Sequence, residues 1–432
     1  MKIIVHRGID QIGGCITEIE SAGGTNILID LGHNLPEGDT AAADPLEKKE
    51  NLFAILNGVS HVFYTHYHGD HIGFESKIPS NVKQHMGELA IEMVKVLKKH
   101  MTYADELKND AEESLAALSD FDAYTAYERK LYGDIYVTPL PINHSAIDSY
   151  MFLIECDGHT ILHTGDFRDH GYNATERLKE VEKHLPSHVD VLITEGTMLE
   201  RGDKRIMSEQ ELQDKAVESM DKKYTFVLCS SMDMDRIVSF TQACQRIDKR
   251  IRIIADSYQI EQIQTVKKRL SKPYSDLFAY PYGRNMEDEF SRMNRYGFLM
   301  FVRHSLSFEK RINEVFERTG ISPSQVNFIY SQFEGYIVKS HKAFKQSLYN
   351  FVDSHKWKKI NLHTSGHASK EALMKIVEIS KPTTAIIPIH KERIGSFQQL
   401  NCPFECPIIA KNGRYPPTQN GDIRSLFLTL LS

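Results

Sequence analysis

The stretch Thr65-His66-Tyr67-His68-Gly69-Asp70-His71 places three imidazoles and a carboxylate within six residues, directly after the apolar run Val62-Phe63-Tyr64. Imidazole and carboxylate are ligands for divalent metals of borderline softness. In an extended segment, residues two apart share a face, so His66 and His68 point the same way. A turn at Gly69 would bring Asp70 and His71 round to a second position. One stretch can therefore begin two adjacent metal sites.

Ligand-type residues recur where other strands run out. His144 follows Leu140-Pro141-Ile142-Asn143, Asp166 follows Ile161-Leu162-His163-Thr164-Gly165, and His390 follows Ile386-Ile387-Pro388-Ile389. Loops at one end of a scaffold converge across large sequence separations. We expect His66, His68 and His144 on one ion, Asp70, His71 and His390 on a second, and Asp166 between them. Two ions roughly 3.5–4 Å apart hold a shared hydroxide and stabilise charge on a phosphoryl group in transfer. With no thiolate in the set, zinc is the first expectation and manganese the second. Histidines spread at random among the chain's 20 would show neither the tight spacing nor the preference for strand ends.

The elements that must aim these side chains alternate along the chain. Cys15 to Glu20 and Thr25 to Asp30 read as strands joined by a hairpin at Gly23-Gly24, and Ser60 to Tyr64 delivers the histidine cluster. From Gly87 to Leu131 the texture turns helical, either a lid over the site or an outer layer. Strands resume at 135–137, 150–154 and 160–163, and at 189–194, ending on Glu195. After Met207, Ser208 with Glu211 three residues later signals a capped helix. Strands at 224–228, 252–255 and 326–330 then alternate with helices at Met234–Ile247 and Val338–Phe351, an open parallel-sheet pattern. Strands at 359–362 and 384–389 flank a helix at 370–380, and Ser425 to Leu430 is expected to return to the first sheet. Because His390 belongs beside a site begun at His66, the second domain reads as inserted into the first. The expected limits are 1–206, 207–358 and 359–432.

The bulk numbers set limits on this picture. At 432 residues and 41% hydrophobic content the chain can bury two cores, and 52 Lys and Arg against 58 Asp and Glu give a formal charge of -6. That balance argues against indiscriminate wrapping of nucleic acid but permits a local channel. Lys267-Lys268-Arg269 and the scatter Arg246, Lys249, Arg250 and Arg252 read as solvated helix faces before they read as backbone guides. The six cysteines are dispersed except for Cys402 and Cys406, which lack a second pair for a zinc site. No signal-peptide pattern opens the chain and no run of about 18 apolar residues occurs, so a cytoplasmic, membrane-free setting is expected.

Taken together, His66-x-His68-x-Asp70-His71, His144, Asp166 within His163-Thr164-Gly165-Asp166-Phe167-Arg168, and His390 resemble the metallo-β-lactamase superfamily. Glu195 in Ile193-Thr194-Glu195-Gly196-Thr197 and His367 in His363-Thr364-Ser365-Gly366-His367 resemble its β-CASP nuclease branch, RNase J in particular. The resemblance implies an α/β fold, an αββα metallo-β-lactamase sandwich (1–206 and 359–432) with an inserted β-CASP α/β domain (207–358). It implies a ribonuclease in which a metal-bridging hydroxide attacks phosphorus, Asp70 helps orient it, and Glu195 holds His367 to protonate the leaving 3′ oxygen. Endonucleolytic and 5′-exonucleolytic modes both fit. Single-stranded RNA is the implied partner and DNA the alternative, and a homodimer is compatible. Ser230, Ser231, His363 and Ser365 are candidate phosphate contacts, although a helix cap explains either of the first two serines equally well. A small-ester or lactone hydrolase and a subunit without catalysis are the competing functions. RNase J proteins generally continue into a further C-terminal domain, whereas this sequence stops at Ser432.

Overall fold

In a computed structural model the described residues are 1–36, 38–39, 44–199, 205–283 and 286–392, with the backbone of 413–414 and 424–429. Period-two alternation sets the architecture. Ile27 and Ile29 face one core and Leu28 another, and Val191 and Ile193 oppose Leu192 in the same way. Each of these two strands therefore buries both faces, and two sheets stack with helices outside.

The first sheet has eight strands. From edge to edge they are Gly413–Arg414, Arg424–Thr429, Lys2–Arg7, Ile16–Glu20, Asn26–Ile29, His61–Phe63, Lys83–Met86 and Asp122–Ala123. The tail strand pairs antiparallel with Lys2–Arg7, as expected for a returning C-terminal segment. The second sheet runs Ala385–Ile389, Val191–Glu195, His159–His163, Ser149–Cys156, Ile135–Ile142 and Lys130–Tyr132. Ile3, Val5, Phe63, Phe152, Ile161, Ile193 and Ile387 fill the space between the two. Helices Ala174–His184 and Lys370–Ser380 cover the outer face of the second sheet through Val181, Leu373 and Ile376.

The third sheet is parallel throughout, in the order Tyr280–Pro281, Arg252–Ala255, Phe298–Val302, Tyr224–Leu228, Val326–Tyr330 and Lys358–Asn361. It lies in sequence between Val191–Glu195 and Ala385–Ile389, which are themselves hydrogen-bonded neighbours. The α/β sandwich thus carries an inserted α/β unit. One apolar cluster runs without a break from Leu28, Tyr64 and Tyr67 to Met234, Ile237 and Ile253, so the two units share a core.

Ser208 and Glu211 form the expected reciprocal cap on helix Glu209–Ser219. The expected helix Val338–Phe351 is corrected to Gln346–Val352. Upstream, the Nδ1 of His341 takes the amide of Ala343, and a local side-chain acceptor of this kind competes with helical pairing. The helical stretch 87–131 resolves into helices Glu88–Met101 and Lys108–Ser119, followed by strands Asp122–Ala123 and Lys130–Tyr132. Helix Glu88–Met101 lies against helix Ser257–Arg269 of the insertion, where Gln262 Nε2 donates to Met93 O at 2.9 Å, so it is an outer layer bridging the units. The basic scatter is largely neutralised: Arg269 meets Glu88 and Glu92, Arg246 meets Asp214, Arg250 meets Asp248 and Arg252 meets Glu289. Cys402 and Cys406 lie outside the described residues.

Candidate metal centre

Strand His61–Phe63 ends before the histidine cluster, and a single helical turn, Gly69–Ile72, carries Asp70 and His71 to the far side of the site. Only glycine fits opposite that turn. A Cβ on Gly32 would stand 1.7 Å from Asp70 O, and one on Gly13 would stand 2.8 Å from the Asp70 carboxylate.

His66, His68 and His144 bring one nitrogen each to a common point. His66 Nε2 and His144 Nε2 lie 3.0 and 3.2 Å from His68 Nδ1. The outward nitrogens are engaged: His144 Nδ1 donates to Gly366 O at 2.6 Å, and His66 Nδ1 is 3.0 Å from Thr65 Oγ1. A carbonyl only accepts, so His144 Nε2 carries a lone pair and faces inward. Burial first, then neighbouring imidazoles, lower the basicity of His66 and His144 well below the ordinary value. Burial pushes His68 down to about 4. Neutral imidazoles crowded lone pair to lone pair are a donor set suited to a cation.

The second group combines histidine with carboxylate. His71 Nδ1 meets Asp30 at 2.8 Å, leaving Nε2 at 3.1 Å from Asp166 and 3.9 Å from Asp70. His390 Nδ1 meets Thr197 Oγ1 at 2.7 Å, leaving Nε2 at 3.2 Å from Asp70 and 3.5 Å from Asp166. Outer partners of this kind orient a metal-binding imidazole. His390 also adopts a left-handed backbone, φ 51°, unusual for a residue with a side chain. Burial opposes ionisation of Asp166, yet the charges of His390, His71 and His367 hold it well below the usual carboxylate range. Burial likewise opposes protonation of His71, but Asp166, Asp30 and Asp70 raise its basicity.

Asp166 touches both groups: its oxygens also cluster with His66 and His71 in a buried set whose ligand atoms lie within 4.8 Å of one another. Beside it, His367 Nδ1 lies 3.1 Å from Glu195 Oε2 and 3.2 Å from Thr197 Oγ1, and its side chain is 22% exposed. Glu195 is fully buried and fixed by the amides of Phe167 and Ala368, at 3.0 and 3.2 Å.

The candidate phosphate contacts divide. Ser230 is exposed, whereas Ser231 is buried and receives Gln259 Nε2 at 3.1 Å. Neither serine caps the following helix, since Asp233 accepts from Arg236 N instead. Tyr67 OH donates to Met232 O at 2.9 Å, which ties this turn to the histidine cluster. His363 is exposed and accepts from Arg236, and Ser365 Oγ accepts from His367 N at 3.1 Å.

Several partners escaped the reading of the sequence. Asp30 ends a strand as Asp166 does, and the same strand-end reasoning would have found it. Thr197 gives no such signal. Cys15, from the first hairpin, lies buried with His71 and His390, and burial first, then Asp166, Asp30 and Asp70, hold it as the neutral thiol.

Comparison with known proteins agrees with this geometry. Residues 25–228 match the beta-lactamase superfamily domain, and residues 354–399 match the RNA specificity domain of Zn-dependent metallo-hydrolases. No curated protein sequence matches the chain. Among solved structures, a protein of unknown function from Enterococcus faecalis V583 superposes with a TM-score of 0.70 over 99% of both chains, at 17% identity, which speaks to the fold alone. Residues 25–228 are thus similar to the metallo-β-lactamase superfamily domain and residues 354–399 to its associated RNA specificity domain, on a fold and a cluster of metal-ligand side chains that suit both. The domain matches and the clustered histidines and carboxylates support an enzyme of the metallohydrolase type. Among the described residues no helix is long and apolar enough to cross a membrane.

Proposed function

We propose that the chain is a nuclease of the β-CASP branch, similar to RNase J, that hydrolyses phosphodiesters of single-stranded RNA. The observation that carries this reading is the Glu195–His367 pair, set at the edge of the metal centre with Asp166 and His390. The matched RNA specificity segment contains both His367 and His390 and supports RNA over DNA. The partition into 1–206, 207–358 and 359–432 belongs to the same reading, with strand Lys358–Asn361 still paired in the third sheet.

The proposed ligands are His66, His68 and His144 for one ion and Asp70, His71 and His390 for the other, with Asp166 shared. Two divalent ions, zinc first and manganese second, would supply Lewis acidity and an acidified water. The remaining work falls to the protein. Glu195 accepts from His367 Nδ1, which fixes the imidazole and leaves Nε2 to carry the proton. His367 delivers that proton to the departing 3′ oxygen of ribose, a step worth about 10²–10⁴-fold in rate. Ser230 and His363, both exposed, are positioned to meet flanking phosphates, with Ser231 and Ser365 behind them.

Incubating metal-loaded protein with end-labelled single-stranded RNA and DNA tests the reading. RNA is expected to be cut, and the ladder of lengths from substrates with different 5′ ends reports endonucleolytic or 5′-exonucleolytic mode. Cleavage of DNA alone moves the assignment to a DNA nuclease. Turnover of a lactone or thioester with both nucleic acids intact removes it.

A further inference from the structure

The loop that carries His367 is gripped through its backbone by two fully buried arginines that the chemistry above does not use. Residues 364–366 belong to no strand or helix, so their carbonyls need other donors. Arg236, on helix Met234–Ile247 of the insertion, gives Nη2 to Thr364 O at 3.0 Å and Nη1 to His363 Nδ1 at 3.1 Å. Arg168, two residues after Asp166, places Nη1 at 3.5 Å from Ser365 O, which also meets His170 Nε2 at 2.7 Å. Gly366 O is taken by His144. The grip thus joins a proposed metal ligand, the segment following Asp166, and the inserted unit around one tripeptide.

The two guanidiniums meet on Glu209, at 3.2 Å from Arg168 and 3.0 Å from Arg236. Asp235 accepts from Arg168 at 2.7 Å and from Tyr274, and Asp233 lies 3.8 and 3.9 Å from the two arginines. Side-chain exposure is 0% for Arg168 and 1% for Arg236 and Glu209. Burying so many charges is an expensive way to join two units, and apolar packing already joins them through Tyr67, Met234 and Ile237. What the cluster adds is direction. A guanidinium presents several donors in a fixed planar fork, so it can hold a carboxylate and a loop carbonyl at once.

We propose that Arg236 and Arg168 are positioning residues for His367, fixing its loop so that the imidazole stands against Glu195. The inference rests on the reading of His367 as proton donor to the leaving group. It assigns to the inserted unit a part in the chemistry as well as in binding.

A leaving-group comparison separates positioning from a merely structural role. In RNA the departing ribose oxygen needs a proton, whereas bis(p-nitrophenyl) phosphate releases a phenolate that needs none. Arg236→Met is expected to lower kcat on RNA about 100-fold with KM changed by less than about threefold, and to slow the aryl ester by less than about threefold. Arg236→Lys, which keeps the charge without the fork, is expected to fall between. Equal losses on the two substrates would overturn the proposal. Hydrogen exchange of the metal-loaded proteins gives a reading independent of turnover. Faster exchange confined to peptides covering 363–368, with 61–75 unchanged, is expected for both variants. Unchanged exchange at 363–368, or acceleration across the chain in Arg236→Lys, would overturn it. Should wild-type protein cleave neither substrate, the nuclease reading falls, and the exchange pattern alone decides whether the arginines hold the loop.

Discussion

In the candidate metal centre His66, His68 and His144 gather three imidazoles on one side, whereas the other side sets His71 and His390 against Asp70, with Asp166 reaching both. The supports differ in the same sense. Thr65 and a backbone carbonyl hold the first half, whereas the buried carboxylate of Asp30 meets His71 directly in the second and reaches the first only through Thr65. A dication in the first half would meet only the shared Asp166 as an anionic ligand, whereas one in the second would be neutralised by Asp70 as well. We therefore read the imidazole half as the side that polarises the phosphoryl group and the carboxylate half as the tighter metal position.

Variants can break or sharpen this contrast. His68→Ala should remove about one of two metal equivalents, measured by elemental analysis, and cost several kcal/mol of transition-state stabilisation, on the order of 10³-fold in turnover. His367→Ala should keep both equivalents yet lose about 10²–10⁴-fold in turnover. Equal metal loss in both variants would dissolve the division between ligands and proton donor. Asp30→Asn should weaken metal affinity of the carboxylate half about 10–100-fold in a chelator titration and the imidazole half less, since Asp30 reaches His66 only through Thr65. A uniform weakening would show that the halves are not independent.

A smaller effect is expected at the arginine cluster. Burial raises Asp233 to about 6, against the pull of Arg168 and Arg236. A carboxyl that binds its proton more tightly when folded destabilises the fold above that pKa, and the penalty fades as pH falls from about 6 towards about 4. Asp233→Asn can still cap the helix, so it should unfold at a higher temperature than wild type at pH 7.5, with the gap closing by pH 5. A gap that widens on acidification would contradict the assignment.

The candidate ligands were legible in the sequence because they either follow an apolar strand or crowd one short run. His66, His144, Asp166 and His390 follow strand ends, His68, Asp70 and His71 complete the run that His66 begins, and the structure brings them together. Thr197 and Arg168 were not legible, because their partners are 193 and 197 residues away and no local pattern marks a hydroxyl or guanidinium as a support. The segment 338–345 read as helix from its composition, but its backbone is turned by its own His341 side chain. The stretch 87–131 hid two short strands, since two or three paired residues leave too little alternation to see.

On the proposed reading water attacks the phosphodiester, ions held by His66, His68, His144, Asp70, His71, His390 and Asp166 would acidify that water, and His367 protonates the leaving oxygen. Cleaving RNA in water enriched in heavy oxygen and analysing the product ends by mass spectrometry decides between this and attack by the neighbouring 2′ hydroxyl. The expected products are 5′-phosphate ends that carry the heavy oxygen and unlabelled 3′-hydroxyl ends. Ends bearing a 2′,3′-cyclic phosphate, or 5′-phosphates without the label, would contradict it.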